Sequence, residues 1–129
     1  MSIWTGYVLV FVGAGFGGTV RHAINLGTQR LSGSAPVIGT FGINVVGSFL
    51  IGLLAAFLVA SIPQREPLRL LLATGFLGGF TTFSAFSLDT AALWQRGQLG
   101  AAATYVLGSV ALSLVAVALG LGIGTRILE

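Results

Sequence analysis

Cysteine is absent from the 129 residues, which excludes disulfides, thiolate metal sites and cysteine nucleophiles. Acidic residues number three and histidine one, too few to assemble a nucleophile–base pair, so an enzyme is not expected. Charge of either sign is scarce: 7% of the residues are charged, where a soluble domain carries roughly 25%. The six basic residues, all arginine, lie scattered between apolar runs and form no basic stripe. The formal charge of +3 therefore does not point to nucleic acid. The start, Met1-Ser2-Ile3-Trp4, lacks the basic region of a cleavable signal, so the first apolar segment is expected to stay in the mature chain.

Apolar residues are plentiful instead, at 55%, with a mean hydropathy of +1.00. Four stretches carry no charge: Ile3 to Val20, Leu31 to Gln64, Leu70 to Leu88 and Gly97 to Thr125. Each reaches the ~18 to 20 residues that a helix needs to cross ~30 Å of hydrocarbon. The 20 glycines sit inside these runs, where membrane helices tolerate them. No segment alternates as the strands of a membrane barrel do. The sequence thus predicts an all-α integral membrane protein, one domain of four spans at about 3–26, 39–60, 68–94 and 99–125. Connecting turns are expected at Thr28 to Ala35, Ser61 to Pro67 and Gln95 to Gln98. Trp4, Tyr7 and Trp94 fall near span ends, as interfacial aromatics do.

Four spans put both termini on one side. Arg65, Arg69 and Arg126 then occupy one face, and Arg21, Arg30 and Arg96 the other. The positive-inside rule finds no excess to act on. The balance admits either one orientation that the arginines do not choose, or insertion both ways. The second reading permits an antiparallel, dual-topology homodimer, an inverted repeat made from two copies of one chain. Four helices are too few to surround a conduit, so an oligomer is expected in any case.

Several polar residues lie within the spans. Gly13 and Gly17, Gly120 and Gly124, and Ser48 with Gly52 have the spacing of close helix packing. Thr40, Asn44 and Ser48 recur every four residues on one face of the second span, and Tyr105, Ser109 and Ser113 do so on the fourth. Single Ser or Thr residues commonly bond back to their own helix, but an asparagine amide in hydrocarbon needs an acceptor there. In the third span, Thr74 to Ser87 places Gly78-Gly79 ahead of Thr81-Thr82, which favours a helix broken at mid-membrane. Freed carbonyls at that depth need protein, water or an ion, and Na⁺ would suit them. Phe83 and Phe86 share a face just beyond, and the positive edges of their rings can meet an anion that the hydroxyls of Thr82 and Ser84 also hold. These donors are neutral, and Arg21 is the one fixed cation near them. This chemistry favours a small anion, one able to recover its hydration from closely spaced donors.

These residues resemble the Fluc (CrcB) family of fluoride channels over essentially the whole chain. The resemblance rests on Gly17-Gly18-Thr19-Val20-Arg21, on Gly39-Thr40 with Asn44, Gly47 and Gly52, and above all on the run from Gly75 to Ser87. It implies an antiparallel dual-topology homodimer with two pores, passing fluoride passively out across the cytoplasmic (inner) membrane of a prokaryote. By match to the family's motifs, Phe83 and Phe86 would line the pore, with Asn44 as a pore amide. Tyr105, Ser109 and Ser113 would form a polar track, and Arg21 would stand at the pore entrance. Gly78 and Thr81 would offer carbonyls to a structural Na⁺ at the dimer centre. Three positions depart from the family's pattern: Ala85 for Thr, Asp89 for Glu, and His22 for an aromatic residue. The main rival is a dual-topology multidrug or cation exporter, which would need an acid deep in the first span, where Ile3 to Val20 has none. A second rival is an assembly subunit whose polar stripes serve only as helix glue.

Overall fold

A computed structural model describes residues 1–33, 37–59 and 65–129. Its elements are α1 (Ile3–Ser32), α2 (Val37–Val59), α3 (Glu66–Leu68), a π-helical segment π1 (Arg69–Leu77), α4 (Gly78–Phe80), α5 (Phe83–Gln95) and α6 (Leu99–Leu128). Four helical stretches are long and apolar enough to cross a membrane: α1, α2, the compound stretch Glu66–Gln95, and α6. Among the described residues there is no strand. Many large apolar side chains point outward, with Trp4 74% and Phe11 80% exposed, as expected where lipid is the solvent.

The ends of the helices follow from local chemistry. Ser2 caps α1 by accepting from the Trp4 amide at 3.3 Å. α1 does not stop near Leu26 but continues to Ser32, so the predicted loop from Thr28 is helical over its first part. The hydroxyls of Thr28 and Ser32 donate to the carbonyls of Asn25 and Thr28, at 3.0 and 2.6 Å. Gly33, at φ 60, then ends the helix in the left-handed conformation that glycine adopts freely. The rest of that loop, 34–36, and the predicted turn over 61–64 lie outside the described residues. Past the second of these, Pro67 opens α3 in the first turn, where a missing amide hydrogen costs nothing. The Arg65 guanidinium donates to the carbonyl of Phe57 near the end of α2. Between α5 and α6 the turn closes through Gly97 at φ 73, with Gly97 N to Trp94 O at 2.9 Å and Gln98 N to Leu93 O at 3.0 Å.

The bundle is built from two tightly packed pairs. α1 packs on π1 and α4, and α2 packs on α6. In the first pair, a Cβ on Gly13 or Gly17 would overlap the carbonyls of Leu71 or Phe76, and one on Gly79 would overlap Ala14. In the second, Gly52 faces the Val117 carbonyl, Gly120 the Phe49 carbonyl and Gly124 the Ala56 methyl. Glycine lets the backbones meet, so these pairs gain dispersion contacts that larger residues would forbid. Contact between the pairs is sparser and passes through side chains. Ile43 of α2 packs with Leu77 and Phe80 in one cluster, and Phe86 and Leu93 pack with Ala102 and Tyr105 of α6 in the other.

Candidate functional site

The third span changes its backbone at two residues. α4 ends at Phe80, Thr81 is extended at φ −79 and ψ 156, Thr82 is extended at φ −153 and ψ 119, and α5 starts at Phe83. Gly78 is itself helical, at φ −64 and ψ −38. The interruption therefore does not draw on glycine's conformational freedom; it falls on the two threonines that follow. Their hydroxyls finish the helix ends on either side. Thr81 Oγ1 donates to Leu77 O at 2.9 Å, and Thr82 Oγ1 accepts from the Ala85 amide at 3.2 Å, capping α5.

Asn44 of α2 holds this interruption in place. Its Oδ1 accepts from the Thr82 amide at 2.8 Å and its Nδ2 donates to the Thr82 carbonyl at 3.0 Å. The acceptor that an asparagine amide needs at this depth is thus a backbone carbonyl of another helix. The consequence reaches two further carbonyls. In a continuous helix the Thr82 amide would bond Gly78 O and the Ala85 amide would bond Thr81 O. Here those amides go to Asn44 and to the Thr82 hydroxyl, and no helical bond spans Thr81 and Thr82. Gly78 O and Thr81 O are left as oxygen donors of the kind that hard cations take. Two carbonyls are less than one such ion's shell, so they do not complete a cation site within one chain. No group of three or more His, Cys, Asp or Glu residues able to hold a metal occurs among the described residues.

Beside the interruption runs a groove of about 390 Å³ between the two helix pairs. Of the candidate residues, Asn44, Thr82, Phe83, Phe86, Ser109 and Ser113 line it, together with Gly78 and Thr81. Ser48 and Gly47 join them; a Cβ on Gly47 would overlap the Thr81 methyl. Phe83 and Phe86 lie with ring centroids 5.4 Å apart and planes tilted by 44°. They differ in setting, since Phe83 is 77% exposed on this chain and Phe86 is buried. Among the described residues, no charged side chain lines the groove.

Four candidates stand apart from that lining. Ser84 is exposed and its hydroxyl lies 3.2 Å from Thr82 Oγ1. Arg21 is half-buried on α1. Thr40 is wholly buried, with its side chain beside the Tyr105 hydroxyl. Tyr105 is buried behind Phe86, ring centroids 5.2 Å apart, and its hydroxyl donates to Asp89 Oδ2 at 3.1 Å. That bond gives the buried carboxylate of Asp89 a partner which sequence spacing did not reveal, because Asp89 and Tyr105 belong to different spans. Most other hydroxyls on the spans bond back to their own helices, as those of Thr19, Ser87, Thr90 and Thr104 do. Ser109 does not; its buried hydroxyl has no protein partner among the described residues.

The family described as CrcB-like protein, Camphor Resistance (CrcB), matches residues 8–121. A protein of Nitrobacter hamburgensis named Fluoride-specific ion channel FluC 2 is 52% identical over 117 residues, 91% of this chain and 94% of its own length. Proteins named Fluoride-specific ion channel FluC from Rhodopseudomonas palustris and Methylobacterium nodulans are 50% and 49% identical, over 91% and 90% of this chain and 94% and 93% of their own lengths. With four apolar helices long enough to span a bilayer and relatives named as channels rather than enzymes, this chain is a multi-pass membrane protein that belongs to the CrcB-like family.

Proposed function

We propose that the chain is a fluoride-selective channel that lets fluoride leave the cell passively across the cytoplasmic membrane of a prokaryote, lowering fluoride in the cytoplasm. The relatives' shared name supports the ion. The observation that carries the reading is the groove at the Thr81–Thr82 interruption, whose lining has neutral polar groups, two phenylalanine rings and no carboxylate. Fluoride is the smallest halide and the strongest hydrogen-bond acceptor among them, so closely spaced hydroxyl and amide donors recover most of its lost hydration. Ring edges at Phe83 and Phe86 add weak positive potential without a fixed charge that would trap the ion. Conduction requires binding firm enough to enter and weak enough to leave.

On this reading the interruption lies at mid-membrane and the functional unit is an antiparallel homodimer in lipid, with two pores. The groove is open along one side of the chain, where Phe83 is largely exposed, and a second copy would supply the missing wall. A Na⁺ at the dimer centre would take Gly78 O and Thr81 O from each copy and supply a fixed positive charge that neutralises these oxygens. Asn44, Thr82, Ser109 and Ser113 act as the polar lining, with Ser84 beside Thr82, Thr40 and Tyr105 continue it toward Asp89, and Arg21 stands at the entrance. A cation-coupled exporter would need a carboxylate in the transport path; Asp89 lies outside the groove lining and is hydrogen-bonded by Tyr105. The test is efflux from liposomes containing purified protein, read with a fluoride electrode and repeated for chloride. Rapid fluoride release with little chloride release is expected. Dimeric, folded protein that releases neither ion would refute the channel.

A further inference from the structure

The third span is irregular twice, at the Thr81–Thr82 interruption and, before it, in π1. π1 runs nine residues, Arg69–Leu77. A helix of this type bonds each amide to the carbonyl five residues back instead of four, so a bonded turn holds one residue more than an α-turn. The hydrogen bonds at its C-terminal end account for that residue. The Gly78 amide donates to the carbonyl of Ala73, five residues back. The Thr81 amide donates to the carbonyl of Leu77, four residues back, at 3.0 Å. Between the two acceptors lie three carbonyls, those of Thr74, Gly75 and Phe76; between the two donors lie two amides, those of Gly79 and Phe80. One carbonyl is surplus, as a single inserted residue leaves it, and the Gly78 amide also reaches Gly75 O.

Of the four residues that the bond from Gly78 to Ala73 passes over, three are committed to packing. Gly75 is buried against the backbone of Gly13, and Phe76 meets Gly13 and Gly17 through its own backbone. Leu77 is buried with Ile43 and Phe80. Thr74 is exposed and outside the groove lining. Removing it would turn the bond from Gly78 to Ala73 into an α-helical one with both partners kept. The wide turn also has a seat. A Cβ on Gly13 would overlap the Leu71 carbonyl, the Phe76 amide and the Gly75 Cα together, so α1 meets the swollen face of π1 with a glycine. From the same stretch of chain, Ala73, Leu77 and Gly78 line the groove.

We propose that Thr74 is a residue inserted into an otherwise α-helical third span, and that the wide turn absorbing it, wedged against Gly13, is a positioning element. It sets how far the carbonyl end of the interruption, Gly78–Phe80, stands out from α1 toward the groove. The role belongs to the backbone at position 74 and not to the threonine side chain. Its effect on conduction rests on the channel reading above; its effect on packing does not.

The test deletes Thr74, with deletion of Ala91 from the regular turns of α5 as control and Thr74→Ala as the variant that keeps the residue count. Each is made in the full chain, and the Thr74 deletion and the wild type are also made with Gly13→Ala. Melting midpoint and assembled state are measured in detergent, and fluoride efflux from liposomes at equal amounts of assembled protein. Deleting Ala91 turns the rest of α5 by about 100° and is expected to abolish assembly, whereas deleting Thr74 preserves it. Gly13→Ala is expected to lower the midpoint of the wild type and to raise that of the Thr74 deletion, whose narrower turn leaves room for the methyl group. Sites that act independently do not show such a reversal. Fluoride efflux is expected to fall at least about tenfold in the Thr74 deletion, the scale of one misplaced contact to an ion. It stays low when Gly13→Ala recovers the midpoint, and Thr74→Ala conducts as wild type does. A Thr74 deletion that assembles no better than the Ala91 deletion, or a Gly13→Ala effect of the same sign in both backgrounds, overturns the insertion. Unchanged efflux in an assembled Thr74 deletion, or an equal loss in Thr74→Ala, overturns the positioning role of the backbone. Wild-type protein that releases no fluoride overturns the channel reading, and the midpoints still decide the insertion.

Discussion

Replacing Asn44 with alanine removes both hydrogen bonds that tie α2 to the Thr82 backbone, at 2.8 and 3.0 Å. Thr82 is 8% exposed, so its amide and carbonyl would be left buried. Hydrogen bonds between membrane helices are worth about 0.6 kcal/mol on average and up to about 1.7 kcal/mol. Two good ones acting on one peptide group therefore amount to about 1–3 kcal/mol, a factor of roughly 5 to 150 in the folding equilibrium. Water entering the groove would hold the loss to the lower part of that range. The local effect is larger than the global one. Freed from Asn44, the Thr82 amide can bond Gly78 O again, which favours closing the interruption into a continuous helix. That closure would withdraw the Gly78 carbonyl and displace Phe83.

Asn44→Ala is thus expected to remain a folded oligomer with a modestly lower melting midpoint, while fluoride efflux falls much further than the stability does. Asn44→Asp keeps an acceptor for the Thr82 amide but sets a negative charge against the Thr82 carbonyl and the groove. It is expected to conduct even less. Thermal unfolding in detergent, chromatography of the assembled state and liposome efflux measure the three quantities separately. Efflux within twofold of wild type in Asn44→Ala, with an unchanged midpoint, would refute the clamp. Loss of efflux strictly in proportion to lost assembly would instead reduce Asn44 to helix glue.

Three further outcomes follow from the packing and the free carbonyls. Gly17→Val drives side-chain atoms into the Phe76 carbonyl and is expected to cost about 1–3 kcal/mol or more, as overpacking does, whereas Gly15→Ala, with nothing within 4 Å, should leave the melting midpoint unchanged; similar midpoints for both would contradict the backbone contact. Exchanging sodium for N-methylglucamine is expected to lower the midpoint, by about 2.7 kcal/mol of stability if sodium had stood a hundredfold above its Kd, and a midpoint independent of sodium would remove the proposed ion. Tyr105→Phe keeps the ring against Phe86 and deletes the donor to Asp89, so a loss of about 1–2 kcal/mol is expected, with no loss meaning that Asp89 finds a hydrogen-bond donor elsewhere.

The class of fold was legible because hydrocarbon imposes one simple demand, long apolar runs, and the sequence states them openly. Glycine spacing likewise announced the helix contacts: Gly13 and Gly17 meet the third span, and Gly120 and Gly124 meet α2. What spacing alone could not give were relations between spans. Asn44 was readable as an amide in need of an acceptor, yet the acceptor is 38 residues away and is a main-chain group. Asp89 and Tyr105 look unrelated in sequence and share a hydrogen bond. The π-helical turn pattern from Arg69 to Leu77 has no signature in residue type, since it is a choice of hydrogen-bond register that packing against α1 settles. The helical end of α1 beyond Thr28 was hidden for a related reason: Ser and Thr there signal a loop by composition, but their hydroxyls bond the helix's own carbonyls.

Pairing of the threonines with Asn44 explains why the groove needs no ionised side chain. Interrupting a helix turns one weak dipole into two, so that a carbonyl end and an amide end come to face each other across Thr81 and Thr82. Such an interruption would ordinarily close, since each broken helical bond in a low-dielectric setting favours its own repair. Here each amide that could repair it is spoken for or displaced: Thr82 by Asn44, Ala85 by the Thr82 hydroxyl, Phe83 and Ser84 by the extended backbone. The same few bonds that keep the helix open therefore leave carbonyls on one side of the interruption and amides on the other. Fixed partial charges of this kind hold an ion less tightly than a full charge would, which is the condition for letting it go.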